Sequence, residues 1–277
     1  MDISARKPLP PDQIVRRARR IRRRIIRMNA NAGQGHTGAD LSEADILATL
    51  FFHVLNIDPT RPDDPDRDRF ILSKGHGVGG LYCTLAEAGY LDESLLETYL
   101  RFDSPLPGHP VRQKTPLIEL NTGALGHGLS VGVGLALAGR MSGRTYRVFV
   151  LTGDGELQEG SVWEAAMSAA RFRLANLIAI VDRNTLQLAD RTERIMPLEP
   201  LAAKWEAFGF DVHEVNGHDP AALIATIARL DPAGEKPQVL IARTIKGKGV
   251  SFMEDQAAWH HKIPAGDQVA RAIQELE

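Results

Sequence analysis

Asp154 sits between Gly153 and Gly155, directly after the apolar run YRVFVL at residues 146–151. Asn184 follows a second apolar run, LIAIVD at residues 177–182, with only Arg183 between. Each run reads as a buried strand, so each strand delivers a polar oxygen to its tip. The two residues are 30 positions apart, about the length of a strand, a crossover helix and a parallel neighbour, so both can project from one sheet edge. A carboxylate and an amide carbonyl are hard oxygen ligands, suited to Mg2+ or Ca2+. Two side chains do not fill an octahedral shell, and Mg2+ takes the remainder from backbone, water and a bound phosphate. Gly153 and Gly155 let a diphosphate approach the backbone closely. On these features alone, a metal–diphosphate site and a plain Gly-Asp-Gly turn with an unrelated Asn stand equal.

The histidines add a second chemistry. Of nine, His36, His76, His109 and His127 lie beside glycines, and His260 lies in the tripeptide Trp259-His260-His261. A lone His next to a Gly is ordinarily a satisfied loop residue. Five such loops at one sheet edge would supply groups that exchange protons near neutrality. His53, His213 and His218 have no such support and read as structural.

The elements that must position these residues follow from the apolar pattern. Helices are expected over about 11–29, 42–54 with Ser42 as N-cap, up to about 88, after Asp92, and over 129–141, 160–172, 198–208 and 219–230. Strands are expected at 70–73, 146–151, 177–182, 211–216 and 238–243. Glycine-rich loops at 31–38, 74–80 and 121–128 and a proline-rich loop at 102–116 lie between them. Buried strands alternating with helices imply an α/β fold, a mostly parallel sheet with helices on both faces. Ligands bind beyond the carboxyl ends of such strands, where these loops fall.

The totals exclude several classes. With 277 residues and a net charge of −2, the chain can bury a substantial core and does not advertise nucleic acid as its partner. The exception is VRRARRIRRRIIR at 15–27. Its Ile14, Ala18, Ile21, Ile25 and Met28 make one apolar stripe, so it reads as a packed helix with a basic outer face rather than a nucleic-acid or membrane arm. Asp2 and Asp12 argue against a transit peptide, the N-terminus lacks a signal-peptide core, and no apolar run reaches membrane-spanning length. The single cysteine, Cys83, fits a reducing cytoplasm. No G-x-S-x-G motif supports an acyl-transfer hydrolase built on Asp154 and Glu159. GALGHG at 123–128 lacks the preceding strand and following acid of a nicotinamide-binding loop.

GDGELQEGSVWEAA followed by LIAIVDRNTLQ resembles the transketolase family closely, and GDG, about thirty residues, then N is the thiamine diphosphate signature. GHTGADLS, LSKGHG, PGHP, NTGALGHGLS and RTIKGKGVSFMED with WHH follow in family order and span nearly the whole chain. The resemblance implies a thiamine diphosphate- and Mg2+-dependent enzyme, with Ca2+ or Mn2+ as substitutes, that moves a two-carbon ketol unit from a ketose to an aldose. It implies Asp154, Asn184 and the carbonyl of Leu186 as metal ligands. Gly153, Gly155 and Glu156 would lie beside the diphosphate, and Gly123, Leu125 and His127 along the cofactor. Family members often carry Gln at the position of His127. His36 and His260 would serve the donor C3 hydroxyl and the acceptor carbonyl, and His109 the C1 hydroxyl. His76 and His260 would also lie near the diphosphate. Glu159 and Glu164 resemble acids at the dimer interface. The family usually shows WHG, so His261 replaces a glycine.

A full transketolase continues into a pyrimidine-binding domain, and the residues after Lys262 read only as a turn and a terminal helix. The resemblance therefore implies one diphosphate-binding domain over 1–277. It would be partnered by a C-terminal subunit in a cytoplasmic heterotetramer with two copies of each. The alternatives are half of another thiamine-dependent enzyme, of the deoxyxylulose-phosphate-synthase kind, and a non-catalytic assembly subunit. The histidine set favours sugars over the first, and the intact Asp154 and Asn184 oppose the second. The phosphate- and length-selecting residues are expected on the partner, so the sugar phosphate is not specified by this chain.

Overall fold

The computed structural model describes residues 7–277; Asp2 lies outside them. Helix α1 (Pro11–Ala32) starts with Pro11, whose fixed φ suits a first turn, and stops at Gly33 in the left-handed region (φ 68°). Its stripe of Ile14, Ala18, Ile21, Ile25 and Met28 is buried as expected. The arginines have partners of their own. Arg17, Arg20 and Arg24 surround the buried carboxylate of Glu87, and Arg22 holds Asp45 at 2.6 Å. Four of the eight arginines of α1 thus clamp neighbouring helices.

Helix α2 (Thr37–Thr49) corrects one expectation. It begins five residues before Ser42, with His36 as N-cap, and ends in a π turn over Leu50–Val54. Every residue of α2 is buried, so no apolar face marks its start. Ser42 is not a cap; its hydroxyl lies inside the helix, 2.5 Å from Asp182 Oδ2.

Strands β1 (Arg69–Leu72), β2 (Val148–Gly153), β3 (Leu177–Arg183), β4 (Asp211–Asn216) and β5 (Gln238–Arg243) form one all-parallel sheet in the order β1-β2-β3-β5-β4. Their side chains alternate between two cores, as a period of two demands. Phe149, Leu151, Ile178, Ile180 and Leu240 face α1, α2, α3 (Val78–Ala88), α8 (Pro220–Ile227) and α9 (Asp267–Glu275). Val148, Val150, Ala179, Val181 and Ile241 face α4 (Gly128–Met141), α5 (Gly160–Arg171) and α7 (Leu201–Ala207). The short α6 (Thr192–Ile195) has no counterpart in the apolar pattern, and the segment after Asp92 is a 3-10 helix over Glu93–Thr98. Among the described residues, no helix is long and apolar enough to cross a membrane.

Candidate active site

Gly153 of β2 pairs with Asp182 of β3, so the residues that follow each strand emerge side by side at the carboxyl edge. Asp154 Oδ2 accepts from the backbone N–H of Thr185 at 2.6 Å and from Arg183 at 3.1 Å. Thr185 has φ 66°, a costly conformation for a β-branched residue, and in it the N–H meets Asp154. Burial first, then neighbouring Asp182, raises the pKa of Asp154. Both effects are relieved by a cation beside it.

Asp182 is the hub beneath the edge. Its carboxylate takes Lys74 at 2.7 Å, Ser42, Thr244 and the Asn184 side-chain N–H at 3.2 Å. That last bond fixes the Asn184 amide, whose Oδ1 is the group left for a ligand or for Leu186 N at 3.1 Å. Burial opposes the charge on Asp182, but Lys74 prevails and holds its carboxyl below the usual range. Glu43 is the third buried member, 2.9 Å from Lys74, and burial pushes its pKa up to about 8.

A cleft of about 370 Å3 opens above this layer, lined among others by His76, Gly123, Leu125, Gly153, Asp154, Gly155, Glu156, Glu159, Asn184, Leu186, Lys246 and His260. Lys246 is 2% exposed, and its ammonium meets a carbonyl, Leu186 O at 2.9 Å, and His260 Nδ1 at 3.0 Å rather than a carboxylate. Burial, then Lys74, lowers its pKa to about 8. Among the described residues no carboxylate reaches this ammonium, Asp154 and Asp182 acting only from farther off, and a buried cation so placed fits an anionic ligand. The glycines agree. A Cβ on Gly123 would approach His109 to 2.8 Å, whereas on Gly153 it would meet nothing nearer than 3.7 Å, so at Gly153 no protein atom demands the glycine. The oxygen set fits a hard cation: Asp154, Asn184 and Leu186 line the same cleft, and the Leu186 carbonyl keeps a second lone pair beside Lys246.

His76 and His260 belong to the cleft lining, and His36 and His109 lie near them outside it. His36 lies 5.4 Å from His76, 5.6 Å from His260 and 6.4 Å from His109, ring centre to ring centre, and His76 lies 5.3 Å from His260. Burial dominates their titration, with neighbouring charge adding. It lowers His36 to about 4 and His260 to about 3, takes His76 well below its ordinary value and shifts His109 downward. At neutral pH these rings are uncharged, each offering one donor and one acceptor to hydroxyl groups.

The whole of this frame, residues 15–276, matches the family model described as transketolase, thiamine diphosphate binding domain. The chain belongs to the transketolase family. It is 55% identical over 267 residues to an apulose-4-phosphate transketolase subunit of Actinobacillus succinogenes, covering 96% of each chain. A second apulose-4-phosphate transketolase subunit, from Phocaeicola vulgatus, is 46% identical, over 92% of this chain and 90% of that one. Among solved structures, transketolase from Campylobacter jejuni superposes with a TM-score of 0.90 at 32% identity, over 97% of this chain but 43% of that one. The chain thus spans less than half of the solved transketolase and nearly all of the two apulose-4-phosphate transketolase subunits.

Within this transketolase fold, some expected residues stand apart from the cleft. His127 caps the start of α4, exposed and away from the cleft lining. Glu159 and Glu164 are exposed, the first at the cleft rim and the second on α5. Glu156 lines the cleft, but its carboxylate is spent on Gly126 N at 2.8 Å, Gly153 N at 3.1 Å and Ser73. It ties three loops together rather than presenting charge to an anion. His53 and His213 bond Leu9 O and Gln238 outside the cleft. Residue type and spacing did not single out Lys74, Asp182 or Lys246, although all three lie inside family motifs.

Proposed function

We propose that this chain is the diphosphate-binding subunit of a two-chain transketolase, a single domain over 1–277. The cofactor would be thiamine diphosphate with Mg2+, which supplies the carbanion chemistry of ketol transfer when bound. Asp154, Asn184 and the Leu186 carbonyl hold the metal, and Lys246, His76 and the backbone at Gly153 and Gly155 take the diphosphate. His36 and His260, neutral at pH 7, serve the donor C3 hydroxyl and the acceptor carbonyl, and His109 holds the C1 hydroxyl. Glu159 and Glu164 belong to the subunit interface. The observation that carries the reading is a cluster of uncharged imidazoles beside a buried Lys246 that meets a carbonyl and His260 rather than a carboxylate, at the cleft that Asp154 and Asn184 also line.

The partner is a pyrimidine-binding subunit, two of each in a cytoplasmic assembly. The apulose-4-phosphate transketolase relatives support a branched ketose phosphate of the apulose 4-phosphate type as donor. Two measurements test this. Asp154→Ala in the assembled enzyme abolishes Mg2+-dependent retention of thiamine diphosphate; undiminished retention removes the metal assignment. The unsubstituted assembled enzyme shows a higher kcat/KM for apulose 4-phosphate than for xylulose 5-phosphate; the reverse order removes the substrate assignment and leaves the chemistry.

A further inference from the structure

Three imidazoles line the cleft itself: His76, His260 and His261. His261 packs on both members of the pair assigned to the donor C3 hydroxyl and the acceptor carbonyl. Its ring centre lies 4.6 Å from His36 and 4.7 Å from His260. The chain on either side fixes its place. Trp259 is buried, its indole N–H donating to Phe252 O at 2.9 Å, and the Lys262 ammonium lies 4.8 Å from the centre of the same ring. A Cβ on Gly38 would come within 2.8 Å of Trp259 O, so this segment packs directly on α2, which His36 caps. His261 itself has φ −113° and ψ −7°, a backbone conformation open to any L-residue. Its ring faces are used in packing, while among the described residues its nitrogens meet no hydrogen-bond partner.

We propose that His261 is a specificity-determining residue. It hydrogen-bonds a hydroxyl borne by a carbon attached to C3 of the donor, which is the C4 hydroxyl of a linear ketose or the hydroxymethyl branch of a branched one. The inference rests on the proposed transketolase reading. Burial orders the groups from the floor of the cleft to its mouth. Lys246 and Gly153, which would take the diphosphate, are buried; His36 and His260 are half-buried; His261 is exposed. The donor's first two carbons therefore lie inward, and the carbons beyond C3 run outward. His261 stands one ring beyond the His36–His260 pair, and the oxygen in question stands one carbon beyond C3. Imidazole offers a donor and an acceptor when neutral and two donors when protonated, so it bonds a hydroxyl in either state. A hydrogen or a methyl group at that place gives the ring nothing to bond. Because His261 is open to water, the discrimination is that of one ordinary hydrogen bond, about tenfold.

The test uses this chain assembled with a pyrimidine-binding transketolase subunit, Mg2+ and thiamine diphosphate. Two pairs of donors are compared by kcat/KM. The first is xylulose 5-phosphate and its 4-deoxy analogue. The second is a ketose phosphate with a hydroxymethyl branch on C3 and the analogue with a methyl branch. The unsubstituted enzyme is expected to favour the hydroxylated member of the better-used pair by about tenfold, and His261→Ala to bring that ratio close to one. His261→Gln, which keeps a donor and an acceptor, retains part of the preference. His261→Phe keeps the packing on His36 and His260 without the nitrogens, and serves if the alanine variant misfolds by circular dichroism. A merely structural role would lower both members of a pair alike; an unchanged ratio in the alanine or phenylalanine variant overturns the proposal. So does an unsubstituted enzyme that shows no preference within either pair. Turnover with no donor at all removes the transketolase reading and this inference with it, whereas turnover with an unchanged ratio removes this inference alone.

Discussion

Lys74 Nζ stands 2.7 Å from Asp182 Oδ2, with both side chains sealed from solvent. Burial alone would strip the charge from each. Instead Asp182 and Glu43 hold Lys74 above its usual range. Removing one partner leaves a buried charge uncompensated, which costs about 3–5 kcal/mol. Lys74→Met is therefore expected to lose that much stability in urea unfolding. Pairing it with Asp182→Asn should recover part of the loss, because the two sites share one interaction.

Lys246 makes a different prediction, since it has no carboxylate to lose. In the assembled enzyme, Lys246→Met should weaken thiamine diphosphate binding by about 10–100-fold, the worth of a hydrogen bond to a charged group. Binding of thiamine without the diphosphate should change little. Calorimetry with both ligands separates a diphosphate contact from a general loosening of the cleft.

The imidazole cluster should resist protonation. A free histidine, with its pKa near 6.5, is about nine-tenths protonated at pH 5.5. His36 and His260, lowered to about 4 and about 3, remain neutral there. Carbon-13 histidine NMR from pH 7 to 5.5 should show their ring resonances stationary. Movement of both through this range would contradict the burial argument.

The basic helix α1 should depend on an acid rather than on nucleic acid. Glu87 is buried among Arg17, Arg20 and Arg24. Glu87→Gln leaves those guanidinium groups facing a neutral amide and should cost about 1–3 kcal/mol. The variant should melt lower, with the deficit shrinking at high salt as the arginines are screened.

Much of this was legible in the sequence, and the failures have physical causes. Asp154 and Asn184 come to one sheet edge because a parallel βαβ unit fixes their spacing, and the resemblance rather than the spacing marked them as ligands. The α1 stripe was legible because helical period exposes one face. Helix α2 hid its start because it is buried all round. Its acidic Asp40, Glu43 and Asp45 mimic a solvated face, while Asp40 and Glu43 in fact sit behind the site, with pKa values raised by burial to about 6 and about 8. Lys246 and Asp182 were invisible as functional residues, since no spacing rule separates a buried lysine or aspartate from an exposed one. His218 had no motif, yet Ile245 N donates to its Nε2 at 2.8 Å while its Nδ1 meets Asp45 at 2.8 Å. The contact anchors the segment that carries Lys246.

The most direct measurement is ketol transfer from a ketose phosphate to an aldose, with Mg2+ and thiamine diphosphate present. It would be run with this chain alone, with a pyrimidine-binding transketolase subunit alone, and with the two mixed. The account predicts turnover only in the mixture, lost again in Asp154→Ala. Robust turnover by this chain alone would contradict a cofactor site shared between two subunits.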